Sequence, residues 1–307
     1  MDDSRKGDKA IMKRTPGMML AVLLVFVLTA CGGGAEEKSM TIGSKDFTEQ
    51  YIVAEMYAQV LEQQGYIVER KLGLGGTPVA QAAMESGDID MYPEYTGTGL
   101  LTVLKEPLET DPQTVYEIVA AGYLEQFDFI WLDPAPMNNT QALAVPRTLA
   151  EERGMFTISD MVAQAEDLIM VGPAEFPERE DGLPGLMENY GEFTLEDYKP
   201  VEKGLRYQAV QDGQADVVVA FGTDGEIAAY DLVVLEDDAG MFPPYQVAPV
   251  IRAELLEADP AIADTLNAVT VLLTNETMQR LNYEVSGEGR EPAEVAEEFL
   301  RDNGLLE

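Results

Sequence analysis

Few residues in this sequence are equipped for chemistry, and most of them lie on two turns rich in glycine and threonine. One is "DIDMYPEYTGTG" (Asp88–Gly99), which carries Glu94, Tyr95, Thr96 and Thr98. The other is "FGTDG" (Phe221–Gly225), which carries Phe221 and Asp224, and a further aromatic, Tyr245, closes "MFPPY". The chain contains no histidine. A Ser-His-Asp triad, an imidazole base and a histidine-based metal site are therefore excluded. Its single cysteine, Cys31, lies close to the N-terminus, so an internal disulfide and thiol catalysis are excluded too. Two chemistries remain. Glu94 and Asp224 could act as the carboxylate pair of a hydrolase of the glycosidase type. Among 56 acidic residues, however, two turn carboxylates read first as capping or solvated groups. Alternatively, Tyr95, Phe221 and Tyr245 could hold a ligand by their ring faces. A fully methylated ammonium has no proton to donate, and π-electron faces are what a protein can offer it. Plain packing at strand ends is the competing account of these rings, and periodicity alone favours packing. "LEDDAG" (Leu235–Gly240) lacks EF-hand spacing, and "GLGG" (Gly73–Gly76) lacks the Lys-Ser/Thr of a phosphate loop. No catalytic residue, metal site or cofactor is expected.

Positioning these turns requires alternating strands and helices. "MTIGS" reads as a buried strand, and Ile52, Val53, Met56, Val60 and Leu61 recur at helical spacing up to a stop at Gly65. "YIVERKL" (Tyr66–Leu72) is a second strand. A helix follows, with Thr77 as N-cap, Pro78 in its first turn and Gly87 past its end, and then "IDMY" as a third strand. This order implies an α/β lobe with parallel pairing. The same grammar returns after "NNT" (Asn138–Thr140): "QALAVP" as strand, "SDMVAQAEDL" as capped helix, "LIMVGP" as strand. "QAAMESGDID" (Gln81–Asp90) matches "QAVQDGQAD" (Gln208–Asp216). Each is a helix end, a glycine and an aspartate three residues later, and each leads to an aromatic Gly/Thr turn. Two similar lobes facing one another would put both turns at the carboxyl ends of parallel strands, where α/β sheets bind ligands. "MFPPYQVAPVI" (Met241–Ile251) suits an interlobe crossover, and helices over Pro260–Leu273 and Pro292–Arg301 end the chain.

The balance of 56 acidic against 20 basic residues opposes nucleic acid and anionic lipid, and points to a saline habitat. At the N-terminus, "MKRTPG" precedes the apolar run Met18–Ala30, too short to span a bilayer and suited to a signal-peptide core. "LTAC" (Leu28–Cys31) and the tether "GGGAEEKS" after it resemble a bacterial lipoprotein signal. Residues 1–30 would be removed, Cys31 lipidated, and 31–39 left as a flexible tether.

"IGSKDFTEQYIVAEM", "LGGT", "DIDMYPEYTGTG", "NNT", "EREDGLPGL", "TDG", "DLVVLEDDAGMFPPYQVAPVI" and "LNYEV" together resemble the substrate-binding protein of osmoprotectant ABC importers. That family captures glycine betaine, choline, carnitine and similar quaternary ammonium solutes. The resemblance runs from Met40 to the C-terminus. It implies an α/β, two-lobed type II periplasmic-binding-protein fold with a hinged ligand cleft, lobe 1 being 40–139 plus 244–307 and lobe 2 being 140–243. It also implies action as a monomer, with a permease and an ATPase as partners and a lipid anchor on the outer face of the cytoplasmic membrane. Carried over by motif, the resemblance assigns Lys45, Arg179 and Thr98 to a ligand carboxylate. It assigns Tyr95, Phe221 and Tyr245 to the trimethylammonium. Gln141 stands where the family usually has tyrosine, so one wall is missing or is supplied by Tyr92, Met137 or Trp131. Threonine at Thr98 favours a zwitterion, whereas an amide at Gln141 leaves room for a ligand with N–H groups, such as an amino acid or ectoine.

Overall fold

The computed structural model describes residues 38–307 apart from 175, 179, 180 and 202, so the signal segment, Cys31, most of the tether and Arg179 lie outside the described residues. Ten strands are present among those described: β1 (Ser39–Gly43), β2 (Ile67–Lys71), β3 (Met91–Tyr95), β4 (Phe129–Trp131), β5 (Gln141–Pro146), β6 (Ile169–Gly172), β7 (Asp197–Pro200), β8 (Val217–Phe221), β9 (Leu232–Val234) and β10 (Val247–Arg252). They form two five-stranded sheets, ordered β2-β1-β3-β10-β4 and β7-β6-β8-β5-β9. The sheets have one topology. In each, three strands run parallel, and the strand entering from the other lobe (β10 or β5) inserts antiparallel beside them. The expected parallel pairing holds for β1 with β2 and β3 and for β6 with β7 and β8, and the inserted strand makes each sheet mixed. β5 and β10 are each the first strand after a crossover, and each runs against both of its neighbours.

The repeat read from sequence has a physical basis. Asp90 and Asp216 each follow a left-handed glycine, Gly87 (φ 76°) and Gly213 (φ 68°). Each turns its carboxylate onto the neighbouring strand: Asp90 Oδ2 accepts from Thr41 N at 2.7 Å, and Asp216 Oδ2 accepts from Ile169 N at 2.9 Å. The backbone N–H of each aspartate donates back to the same residue's carbonyl at 2.8 Å. Side chain and main chain together fix the register of the parallel pair before the ladder proper begins.

Local boundaries differ from expectation where cap chemistry decides. The helix Thr77–Ser86 is capped by Gly76, one residue before Thr77. Thr157, not Ser159, starts the helix Ile158–Val162, through a reciprocal capping box with Asp160. β3 begins two residues later than "IDMY" and runs through Pro93, which pairs with Pro249 of β10. Only Met91 of β3 pairs with β1, so the missing N–H of Pro93 falls beyond that ladder. "YTGTG" is no loose turn: Thr96–Thr98 and Gly99–Leu104 continue directly as helix. The helices Pro112–Phe127 and Asn275–Ser286 were not anticipated. The latter packs with Thr48–Gln63, Ala261–Thr270 and Pro292–Asp302 on one face of the first sheet, around Ile52, Met56, Leu266, Leu281 and Phe299. The opposite face holds Met84, Tyr123, Phe129 and Trp131.

Two crossovers join the lobes side by side. Asn139 N donates to Tyr245 O at 3.0 Å, Asn138 Oδ1 accepts from Tyr245 N at 2.7 Å, and Thr140 Oγ1 donates to Pro243 O at 2.8 Å. Asn275 and Gln279 lock this junction to β8 by donating to Gly222 O at 3.0 and 2.8 Å. Gly222 is needed there, since a Cβ would lie 2.3 Å from Asn138 O.

Candidate functional site

A cavity of about 850 Å³ opens beside these crossovers, lined from both sheets. Six of the seven ligand-binding residues anticipated from sequence line it: Lys45, Tyr95, Thr98, Gln141, Phe221 and Tyr245. The seventh, Arg179, lies outside the described residues, although its neighbour Asp181 lines the wall. Tyr95 and Phe221 are the last residues of β3 and β8, so the repeat that equates the lobes delivers one ring from each. Tyr245 reaches the cavity because Gly97 lets the chain close over it. A Cβ on Gly97 would meet Pro244 O at 2.6 Å and the Tyr245 ring at 2.9 Å.

Behind each strand-end ring stands a buried ion pair. Lys45 Nζ lies 5.2 Å from the centre of the Tyr95 ring and 2.5 Å from Glu94 Oε1. Glu94 also accepts from Tyr95 N at 2.6 Å and from Tyr92 Oη at 3.1 Å. In the other lobe, the Arg206 guanidinium lies 5.9 Å from the Phe221 ring and 3.3 Å from Asp224 Oδ2. Asp224 accepts from Phe221 N at 3.0 Å and from the Tyr207 hydroxyl. Glu94 and Asp224 therefore hold rings and cations in place, and neither is a solvated turn residue. A bare cation behind a ring would weaken that ring's pull on a second cation, and each carboxylate cancels this field. The same pairing commits the ammonium of Lys45 to Glu94.

Tyr95 is fixed at its far end too. Its hydroxyl donates to Glu49 Oε1 at 2.6 Å, and burial, reinforced by the charge of Glu49, holds its pKa well above 10. Glu49 also accepts from Asn139 at 3.0 Å and from Asn282 at 2.9 Å. Burial raises its carboxyl above the ordinary 4.5 against the pull of hydrogen bonds from Thr223, Tyr95 and Asn282.

Gln141 supplies no ring. Its Nε2 donates to Asp181 O at 2.6 Å and ties down the segment after Arg179. Tyr92, Met137 and Trp131 do not replace the lost wall: all three are buried in the core, and none lines the cavity. The further aromatic walls are Phe47, Phe176 and Phe242, which sequence reading missed. Phe47 stacks on Tyr95 with ring centres 6.1 Å apart. It follows the carboxyl end of β1, so the strand-end rule that selected Tyr95 would have found it. Phe176 and Phe242 come from irregular segments with no comparable signal.

Comparison with known proteins places this architecture. Residues 38–302 match the family described as the substrate binding domain of ABC-type glycine betaine transport system. The chain is 37% identical to the glycine-betaine-binding protein of Pseudomonas aeruginosa, over 90% of this chain and 91% of that one. It is 33% identical to the ergothioneine transport permease/ergothioneine binding protein EgtU of Helicobacter pylori, over 95% of this chain but only 54% of that protein, so it spans about half the length of that relative. A crystal structure of a glycine betaine/carnitine/choline ABC transporter superposes with a TM-score of 0.85 at 32% identity, covering 88% of this chain and all of that one. Fold, coverage and identity agree: the chain is a two-lobed α/β binding protein rather than an enzyme, and it belongs to the family of substrate-binding domains of ABC-type glycine betaine transport systems.

Proposed function

We propose that this protein is an extracytoplasmic receptor that captures glycine betaine or a related quaternary ammonium solute and delivers it to an ABC permease driven by an ATPase. The supporting observation is the set of ring faces at Tyr95, Phe221, Tyr245 and Phe47 around one cavity. In this reading the lobes divide at 139/140 and 243/244 and close on the ligand about those junctions. Tyr95, Phe221 and Tyr245 enclose the trimethylammonium, each contact contributing about 0.5–2 kcal/mol once desolvated. With Lys45 engaged by Glu94, the ligand carboxylate falls to Arg179 and Thr98. A betaine of about eight heavy atoms can reach at most about −12 kcal/mol, and micromolar capture needs about −8. Three rings and a clamp fit within that limit. Lipidation at Cys31 would hold the receptor at the outer face of the cytoplasmic membrane. Titration calorimetry with glycine betaine is the test. Binding heat that collapses in Tyr95→Ala supports the reading, and silence toward betaine, choline and carnitine alike would end it.

A larger betaine is the second reading, favoured by the volume. About 850 Å³ is generous for an eight-atom solute, and the wall beyond the rings carries Asp181, Glu188 and Asn189. Those acceptors suit a trimethylammonium compound whose far end bears N–H groups, as ergothioneine does. If carnitine and ergothioneine compete no better than glycine betaine, the small ligand stands.

A further inference from the structure

A carboxylate in the first turn of a helix ordinarily sits at the surface, where it complements the positive end of the helix dipole. Glu49, in the first turn of the Thr48–Gln63 helix, is instead only 3% exposed. Every hydrogen bond it accepts comes from a neutral group. Oε1 takes the Tyr95 hydroxyl at 2.6 Å and Asn139 Nδ2 at 3.0 Å, and Oε2 takes Asn282 Nδ2 at 2.9 Å. The Thr223 hydroxyl is a further donor. Burying a carboxylate among neutral partners is costly, and a dipole contact at the surface would not require it.

The partners lead to three different aromatic walls of the solute cavity. Tyr95 is itself the first. Asn139 lies on a crossover, and its backbone N–H donates to Tyr245 O at 3.0 Å. Asn282 also donates to Thr223 O at 2.8 Å, two residues after Phe221. The three rings come from segments far apart in the chain, and the supports of all three converge on Glu49. The two amides are turned toward it at a cost to themselves. Asn139 Oδ1 and Asn282 Oδ1 are buried without a protein donor, so each side chain keeps its nitrogen on the carboxylate while its oxygen goes unpaired. An ionised carboxylate suits this position because it only accepts. An amide there would set an NH2 group against at least one of the donors.

We propose that Glu49 is a positioning residue for solute capture, fixing the mutual placement of Tyr95, Tyr245 and Phe221 from behind. Glu49 does not itself line the solute cavity. The inference rests on the reading of these rings as the enclosure of an ammonium group. Placement then matters because a ring attracts a cation only when its face lies within about 6 Å. Rings released from their supports would remain present and lose affinity.

The first test uses ligand-free protein, so its failure is distinguishable from failure of the proposed function. Tyrosine isotopically labelled at the phenolic carbon gives one NMR signal per residue, and the Tyr95 signal is the one missing from Tyr95→Phe. That signal should move in Glu49→Gln. It should move in Asn282→Ala as well, although no hydrogen bond joins Asn282 to Tyr95. Calorimetry with glycine betaine is the second test. Glu49→Gln and Tyr95→Phe should each raise the dissociation constant about 10-fold, and the double variant about 10- to 20-fold rather than their product of about 100-fold, because one tie cannot be broken twice. Asn282→Ala, which leaves the cavity lining intact, should raise it about 3-fold. If Glu49→Gln does not fold, Asn282→Ala takes its place in both tests. A Tyr95 signal that stays put would overturn the proposal. So would a Glu49→Gln protein that melts earlier yet binds betaine like the parent, since Glu49 would then serve the fold alone. Effects that multiply in full would place Glu49 outside the path through the Tyr95 hydroxyl, and would overturn it too.

Discussion

The two strand ends that face each other across the cavity solve one problem with different parts. In the first lobe the carboxylate directly precedes the ring (Glu94, Tyr95), and the cation arrives from the loop after β1. In the second the carboxylate follows the ring by three residues (Phe221, Asp224), and the cation arrives from the Lys203–Gln211 helix. Both end with a buried cation near the ring, a carboxylate gripping that cation and the ring's own N–H, and a tyrosine hydroxyl on the carboxylate. Where two lobes with one topology reach one local electrostatic arrangement by different sequence routes, the arrangement follows from what a ring at a strand end requires. The lobes differ in how firmly the ring is held. Tyr95 is anchored at its hydroxyl by Glu49 and backed by Phe47, whereas Phe221 has no hydroxyl to anchor.

The sharpest way to break the comparison is to remove each carboxylate. Glu94→Gln leaves the Lys45 ammonium buried with no counter-charge, and should lower stability by about 3–5 kcal/mol in a urea melt. Asp224→Asn should cost less, because Asp224 keeps 13% of its side chain exposed whereas Glu94 has none. Equal losses would mean the two pairs are equivalent after all. Next come the rings. Tyr95→Ala should weaken glycine betaine binding about 30- to 100-fold and Phe221→Ala about 10-fold, read by calorimetry. The reverse order would make the second lobe the dominant wall.

Gly97→Ala and Gly222→Ala compare the close approaches at the crossovers. Each should destabilise by about 1–3 kcal/mol through overpacking, but only Gly97→Ala, which pushes on the Tyr245 ring, should also raise the betaine dissociation constant. The smallest effect concerns pH. Glu49 is surrounded by Tyr95, Asn139, Asn282, Thr223 and the charge of Asp224, and its carboxyl is held above 4.5, chiefly by burial. The folded state therefore favours the proton. The stability this contributes is complete below the unfolded value and is lost as pH rises through the folded one. Glu49→Gln has no such proton to lose, so its melting temperature relative to the parent should climb as pH rises above about 4.5. A difference that stays flat with pH would mean Glu49 titrates alike in both states.

Much of the site was legible because strand ends and repeats leave local marks. The glycine-to-aspartate spacing at Gly87–Asp90 and Gly213–Asp216 reports a register lock, and the aromatic residue closing the next strand follows from it. Thr98 and Tyr245 were recoverable from motif resemblance. Phe176 and Phe242 were not, because irregular backbone carries no periodicity. Nor was the true state of Lys45 and Glu94: they lie 49 positions apart, and only folding brings them to 2.5 Å. The bond from Gln141 to Asp181 O was not legible either, because it is a long-range contact.

The strand-helix-strand order that opens each lobe, the doubled motif and the ring at each strand end were determined by the sequence alone, since backbone propensity, caps and short spacings act between near neighbours. The tertiary structure decided which charges cancel, which rings have an open face and which amide oxygens are left without donors. Those outcomes depend on burial, and burial is set only when distant segments pack and exclude water.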